Sequence, residues 1–230
     1  MTGLIAAEWL KTRSLRSTWW ALGLTTAAVL GASALDRDGA FPLAGYLMLI
    51  VVATGSGAAA MVGEYSSGLI RATTVAVPSR AELIMAKAVV LATYWTVAGA
   101  LIAVGSYATA QSPGPMPGAT AFVAAALVAP VCALVGLGLA VVLRHAGATY
   151  VTGVLLVVLA PQMFGGNHDS TRAVNHAMIV PAWERLTLAH GSPEAVGAAY
   201  TTATEAWLVY ALWPLLAVAA AVLAHHWRDV

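Results

Sequence analysis

The sequence is poor in charge. Lys, Arg, Asp and Glu make up 9% of its 230 residues, against about 25% in soluble domains. Eleven basic and ten acidic side chains cannot cover a soluble surface of this size, which excludes a soluble monomer. A content of 60% hydrophobic residues equally excludes a disordered chain. The net charge of +1 gives no support to nucleic-acid binding, which draws on a basic surface. Cysteine is nearly absent: Cys132 stands alone in an apolar run, so no intrachain disulfide is possible. Lysine is scarce too, with only Lys11 and Lys87.

Nucleotide and metal motifs are also missing. Gly57 to Gly63 carries glycines, but Glu64 follows where a phosphate-binding loop needs Gly-Lys-Ser/Thr. The chain is therefore not expected to bind ATP or any other cofactor itself. No HExxH or Cys-pair metal pattern occurs. His168-Asp169-Ser170 are consecutive and point in different directions, which makes no relay. Gly55-Ser56-Gly57 and Gly136-x-Gly138 read as small residues that let helices pack closely. His225-His226 read as charge at a helix end.

What the sequence has is apolar length. A span needs about 20 mostly apolar residues to cross a hydrocarbon core ~30 Å thick. Six segments qualify: 18–35, 42–63, 83–108, 119–143, 148–164 and 204–224. The expected fold is all-α, a single polytopic membrane domain over 1–230. The first segment is not expected to be a cleaved signal peptide, because it is long and runs straight into a polar turn and another span.

Lys and Arg in the short loops set the orientation. With the termini inside, eight basic residues face inward and only Arg37, Arg172 and Arg185 face outward. Both termini are expected in the cytoplasm, with Trp19, Trp20 and Trp227 at the inner interface. No charged residue falls mid-span by these limits. Buried charges mark ion and proton pathways, so their absence argues against a proton- or sodium-coupled pump.

The segments between the spans carry the remaining signals. Residues 2–17 read as an amphipathic surface helix, with Leu4, Ile5, Trp9 and Leu15 on its apolar face and Glu8, Lys11 and Thr12 away from it. Residues 64–82 form an inner segment too long for a tight turn. Ser67-Gly68 breaks the second span, and Leu69, Ile70, Thr73 and Val77 suit one face of a short helix with Arg71 and Thr74 elsewhere. Pro78 ends that helix, and Ser79-x-x-Glu82 is a capping box that starts the third span. Exposed Leu69, Ile70 and Val77 need a cover. Glu64 and Arg80 lie at the ends of this segment and can pair with each other or with a partner. The outer loop, 165–203, is expected to hold two short helices, with Pro181 and Pro193 at first helical positions. His190-Gly191 reads as the end of the first of them, and Thr202-x-x-Glu205 as a capping box for the sixth span.

Glu64, Gly68, the apolar run from Leu69 to Val77, Pro78, Arg80 and Lys87 together resemble the cytoplasmic loop of ABC-2-type (type V exporter-like) transporter permeases. Glu8, Lys11, Arg13, Arg16, Trp19 and Trp20 resemble that family's basic surface helix. Leu69 departs from the family pattern, where Thr often follows the Gly. The resemblance covers the whole chain and implies a permease subunit with no ATPase of its own. It implies two separate ATP-binding subunits holding ATP and Mg, and a second permease, taken as another copy of this chain. Glu64, Gly68, Leu69, Ile70, Arg71, Val77, Pro78 and Arg80 would then form the ATPase-coupling segment. The resemblance also implies a substrate route near spans two and five. Tyr46, Met48, Thr54, Ser56, Met61, Tyr150, Thr152, Gln162, Met163 and Phe164 lie there, a lining suited to an amphipathic drug, antibiotic, lipid or peptide. Nine arginines to two lysines, with abundant Ala and Gly, fit the codon bias of a GC-rich bacterial genome, so the expected location is a bacterial inner membrane. The alternative is a six-span enzyme acting on a lipid or quinone, for which His168, Asp169, His176, Glu184 and His190 of the outer loop are the candidates.

Overall fold

A computed structural model describes residues 2–36, 41–68, 80–111, 117–164, 169–187 and 202–227, apart from the side chains of Arg80, Asp169, Ser170, Arg172 and 225–227. The described residues are helical outside short turns, with no strand among them. The helices are α1 (Thr2–Ser14), α2 (Arg16–Leu35), α3 (Leu43–Ser67), α4 (Arg80–Thr109), α5 (Ala119–Leu143), α6 (Ala146–Phe164), α7 (Asp169–His176), α8 (Ile179–Thr187) and α9 (Ala203–Trp227). Six of them, α2 to α6 and α9, are long and apolar enough to cross a membrane. Leu24, Leu101 and Leu215 turn outward and are exposed, as side chains solvated by lipid should be.

The centre of the bundle is α5, the most buried span, packed between α3, α4 and α9. Its sequence explains the position. Lipid tails are as apolar as core side chains, so close packing rather than hydrophobicity brings such helices together. A Cβ on Gly136 of α5 would meet the Thr54 carbonyl oxygen of α3 at 1.9 Å. A Cβ on Gly57 of α3 would meet the Ala133 carbonyl oxygen of α5 at 1.8 Å. The two helices interlock only because both positions lack a side chain. Pro130 inside α5 offers no N–H to the Ala126 carbonyl. That oxygen faces Gly99 of α4, where a Cβ would stand 2.2 Å away.

The expected spans are present. Segment 119–143 coincides with α5, and α3 runs four residues beyond the expected 63. It ends at Gly68, whose φ of 70° is left-handed and easy only for glycine, as the Ser67-Gly68 break implies. The capping box at α9 is formed: Thr202 N–H donates to Glu205 Oε2 at 2.8 Å, and Glu205 N–H to Thr202 Oγ1 at 3.2 Å. Ser79 of the other box lies outside the described residues.

Among its described residues, segment 165–203 holds α7 and α8. Pro181 is the third residue of α8 rather than its first. Pro193 and His190-Gly191 lie outside the described residues. Between α7 and α8, the Ala177 carbonyl accepts from Trp213 Nε1 at 2.7 Å. Trp213 is about 15 Å along α9 from its first residue, so this turn lies beside the middle of α9. Trp183 of α8 is fully buried and stacks on Tyr46, with ring centroids 4.9 Å apart.

Candidate functional site

Four charged side chains meet where α1 crosses the ends of α3 and α4. Glu64 is in the last turn of α3 and Lys87 in the second turn of α4. Lys87 Nζ donates to Glu64 Oε1 at 2.5 Å and to Glu8 Oε1 of α1 at 2.9 Å. Lys11 Nζ of α1 also donates to Glu64 Oε1, at 2.5 Å. Glu64 and Lys87 are buried, with side chains 3% and 1% exposed; Glu8 is 15% and Lys11 40% exposed. One carboxylate oxygen thus holds two ammonium groups. The cluster is electrically neutral, which permits its burial. Glu64 Oε2 is buried without a partner. Burial pulls the Lys11 ammonium down, but its hydrogen bond to Glu64 and the charges of Glu64 and Glu8 outweigh this and raise its pKa.

Glu64 in the last turn of α3 and Lys87 in the second turn of α4 lie towards the helix ends, and the middles of both spans are free of charge. One expectation is corrected here, and it concerns α1. Glu8, Lys11 and Thr12 were expected to face away from its buried side; they share the half-buried stripe with Leu4, Ile5 and Trp9, while Leu10 is 71% exposed. The ion pairs draw the polar residues inward.

Of the expected coupling residues, Glu64 and Gly68 sit at the end of α3, and Arg80 opens α4. Leu69, Ile70, Arg71, Val77 and Pro78 lie outside the described residues. A second contact braces the same end: the Arg144 guanidinium lies 5.6 Å from the centre of the Tyr65 ring. Arg144 caps α5 in the left-handed region, with φ of 55°.

The expected substrate residues do not form one surface. Tyr46 and Met61 are fully buried among the helices. Met48, Met163 and Phe164 are exposed large side chains, and Gln162 is exposed beside them. Thr152 is half-buried, and Thr54 lines a small apolar pocket with Tyr150. Ser56 and Tyr150 do come together, in a cleft of about 370 Å³ between α1, α2, α3, α4 and the start of α6. Trp95 Nε1 donates to Ser56 Oγ at 2.7 Å in its wall. Glu8 and Lys11 stand at the rim of this cleft, next to the ion cluster.

Sequence reasoning missed the joining of Glu8, Lys11, Glu64 and Lys87. One signal was available: Glu64 and Lys87 flank a single inter-span segment, so they lie at one depth, and Glu8 and Lys11 share a helix face. Of the outer-loop candidates, His168 and His190 lie outside the described residues. Among the described residues, no group of His, Cys, Asp and Glu could hold a metal ion.

Fold and site define a multi-pass helical membrane protein with a neutral ion cluster at one end of its bundle. The sequence matches no protein-family model and no curated protein.

Proposed function

We propose that the chain is the membrane permease subunit of an ATP-binding-cassette exporter of the ABC-2 type, moving an amphipathic or hydrophobic compound across a bacterial inner membrane. ATP is hydrolysed in a separate subunit that docks on residues 69–78, and this chain contributes no catalytic group. Two copies of each subunit make the transporter, with both termini of the permease in the cytoplasm.

The observation that carries this reading is the grip of Glu64 on both Lys11 and Lys87. Residues 69–79 connect α3 to α4 along the chain, and the ion cluster joins the ends of those two helices to α1. A push on the segment therefore reaches three helices together. Pulling Glu64 away from both ammonium groups would strand a buried charge, so the helices respond as a unit.

Purification in mild detergent from the native host tests the reading. A stoichiometric subunit bearing a phosphate-binding loop is expected in the complex. A chain that purifies alone as a stable oligomer would contradict it.

A further inference from the structure

The cleft beside α1 changes character along its length. Its rim carries Glu8, Lys11 and Thr12 of α1, and its depth is walled by Val52, Leu91 and Trp95. We infer that this cleft holds one acyl chain of a membrane phospholipid with a zwitterionic head, the phosphate toward Lys11 and the ammonium toward Glu8. The inference rests on the membrane-spanning fold and not on coupling to ATP.

Three observations support this occupant. The first is charge. The rim presents one carboxylate and one ammonium, complementary to a head that carries both signs. Lys11 has three donors, of which Glu64 takes one, and its side chain is 40% exposed. Lys87 occupies only Oε1 of Glu8. The second is length. From Glu64, at the level of the charges, to Val52 in the depth, α3 runs about 18 Å. Half of a ~30 Å hydrocarbon core is nearly the same distance, the reach of one leaflet's chain. The third is the wall. Ala59, Ala60 and Gly55 keep it open on the α3 side, and Leu91 and Trp95 face them from α4.

The test uses the full chain in lipid nanodiscs containing phosphatidylethanolamine with a photoreactive diazirine on its acyl chain. Adducts are mapped by peptide mass spectrometry. They are expected to concentrate on Ala59, Ala60 and Leu91, with unlabelled phosphatidylethanolamine competing at least about tenfold better than phosphatidylglycerol. Ala59→Trp should fill the cleft and reduce those adducts at least about tenfold, while labelling at Leu215 on the outer face of α9 stays unchanged. Gly55→Leu is the second blocking variant, should Ala59→Trp fail to fold. Even labelling of the cleft, Leu24 and Leu215 would overturn the inference. So would equal competition by phosphatidylglycerol. Absence of cleft adducts together with a disulfide between copies carrying Tyr150→Cys would assign the cleft to a second copy instead, and would also overturn it.

Discussion

Lys87 and Glu64, on different helices, meet at 2.5 Å with both side chains withdrawn from solvent. The pair clamps the start of α4 to the end of α3. Each member needs the other, because an isolated buried charge is far costlier than a buried pair.

The first prediction follows from that dependence. Lys87→Met should leave Glu64 and Glu8 underpaired and cost about 3 kcal/mol, the low end for breaking a buried ion pair. Adding Glu64→Met should restore part of the loss, since Glu8 and Lys11 remain as a neutral pair. Thermal unfolding in detergent of both single variants and the double variant measures this. Additive losses would show that the two side chains are not coupled.

A second prediction concerns the interlock of α3 and α5. Gly57→Ala and Gly136→Ala each place a methyl group against a backbone carbonyl, which cannot swing aside. Each should destabilise by about 1–3 kcal/mol through overpacking. Gly63→Ala, on an open stretch of α3 with nothing near its Cβ, is the control and should be neutral or slightly stabilising. Equal melting of all three variants would contradict the packing account.

The third prediction concerns the seating of α7 and α8. Trp213→Phe removes the donor to the Ala177 carbonyl, and Asn175→Ala removes the donor to the Pro161 carbonyl at 2.6 Å. Each should cost about 1 kcal/mol and speed hydrogen exchange across 169–187 more than across α5. Uniform acceleration over the whole chain would instead mean that these bonds serve global stability.

Much of this fold is legible from hydropathy, and particular residues show why the rest is not. The limits of α5 follow from an apolar run closed by Gly118 and Arg144. The Thr202-x-x-Glu205 cap is legible because its partners are three residues apart. The end of α3 is legible in Ser67-Gly68, but the pairing of Glu64 is not, because its partners are Lys87, 23 residues away, and Lys11, 53 away. The inward turn of Glu8 and Lys11 is hidden for the same reason: local amphipathicity cannot see a charged partner on another helix. The π-helical turn Leu155–Leu159 in α6 is also hidden. Its residues are uniformly apolar, and its one hint is Pro161, which offers no N–H to the carbonyls of that turn. Within the candidate site, Glu64 and Gly68 were readable at their positions in the chain. The cleft was not, since only tertiary packing brings Ser56, Tyr150 and α1 together.

Docking of residues 69–78 on an ATP-hydrolysing partner is what the proposed transporter requires. It is tested most directly by ATP hydrolysis in complexes isolated from the native host through this chain. Wild type should be compared with a variant carrying Leu69→Asp and Ile70→Asp. The account predicts that ATPase activity isolates with the wild type. It also predicts that the variant loses the partner while keeping its own melting temperature, because two carboxylates buried at a docking surface would go unpaired. Equal ATPase activity in both preparations would contradict docking through this segment, and none in either would contradict the transporter account itself.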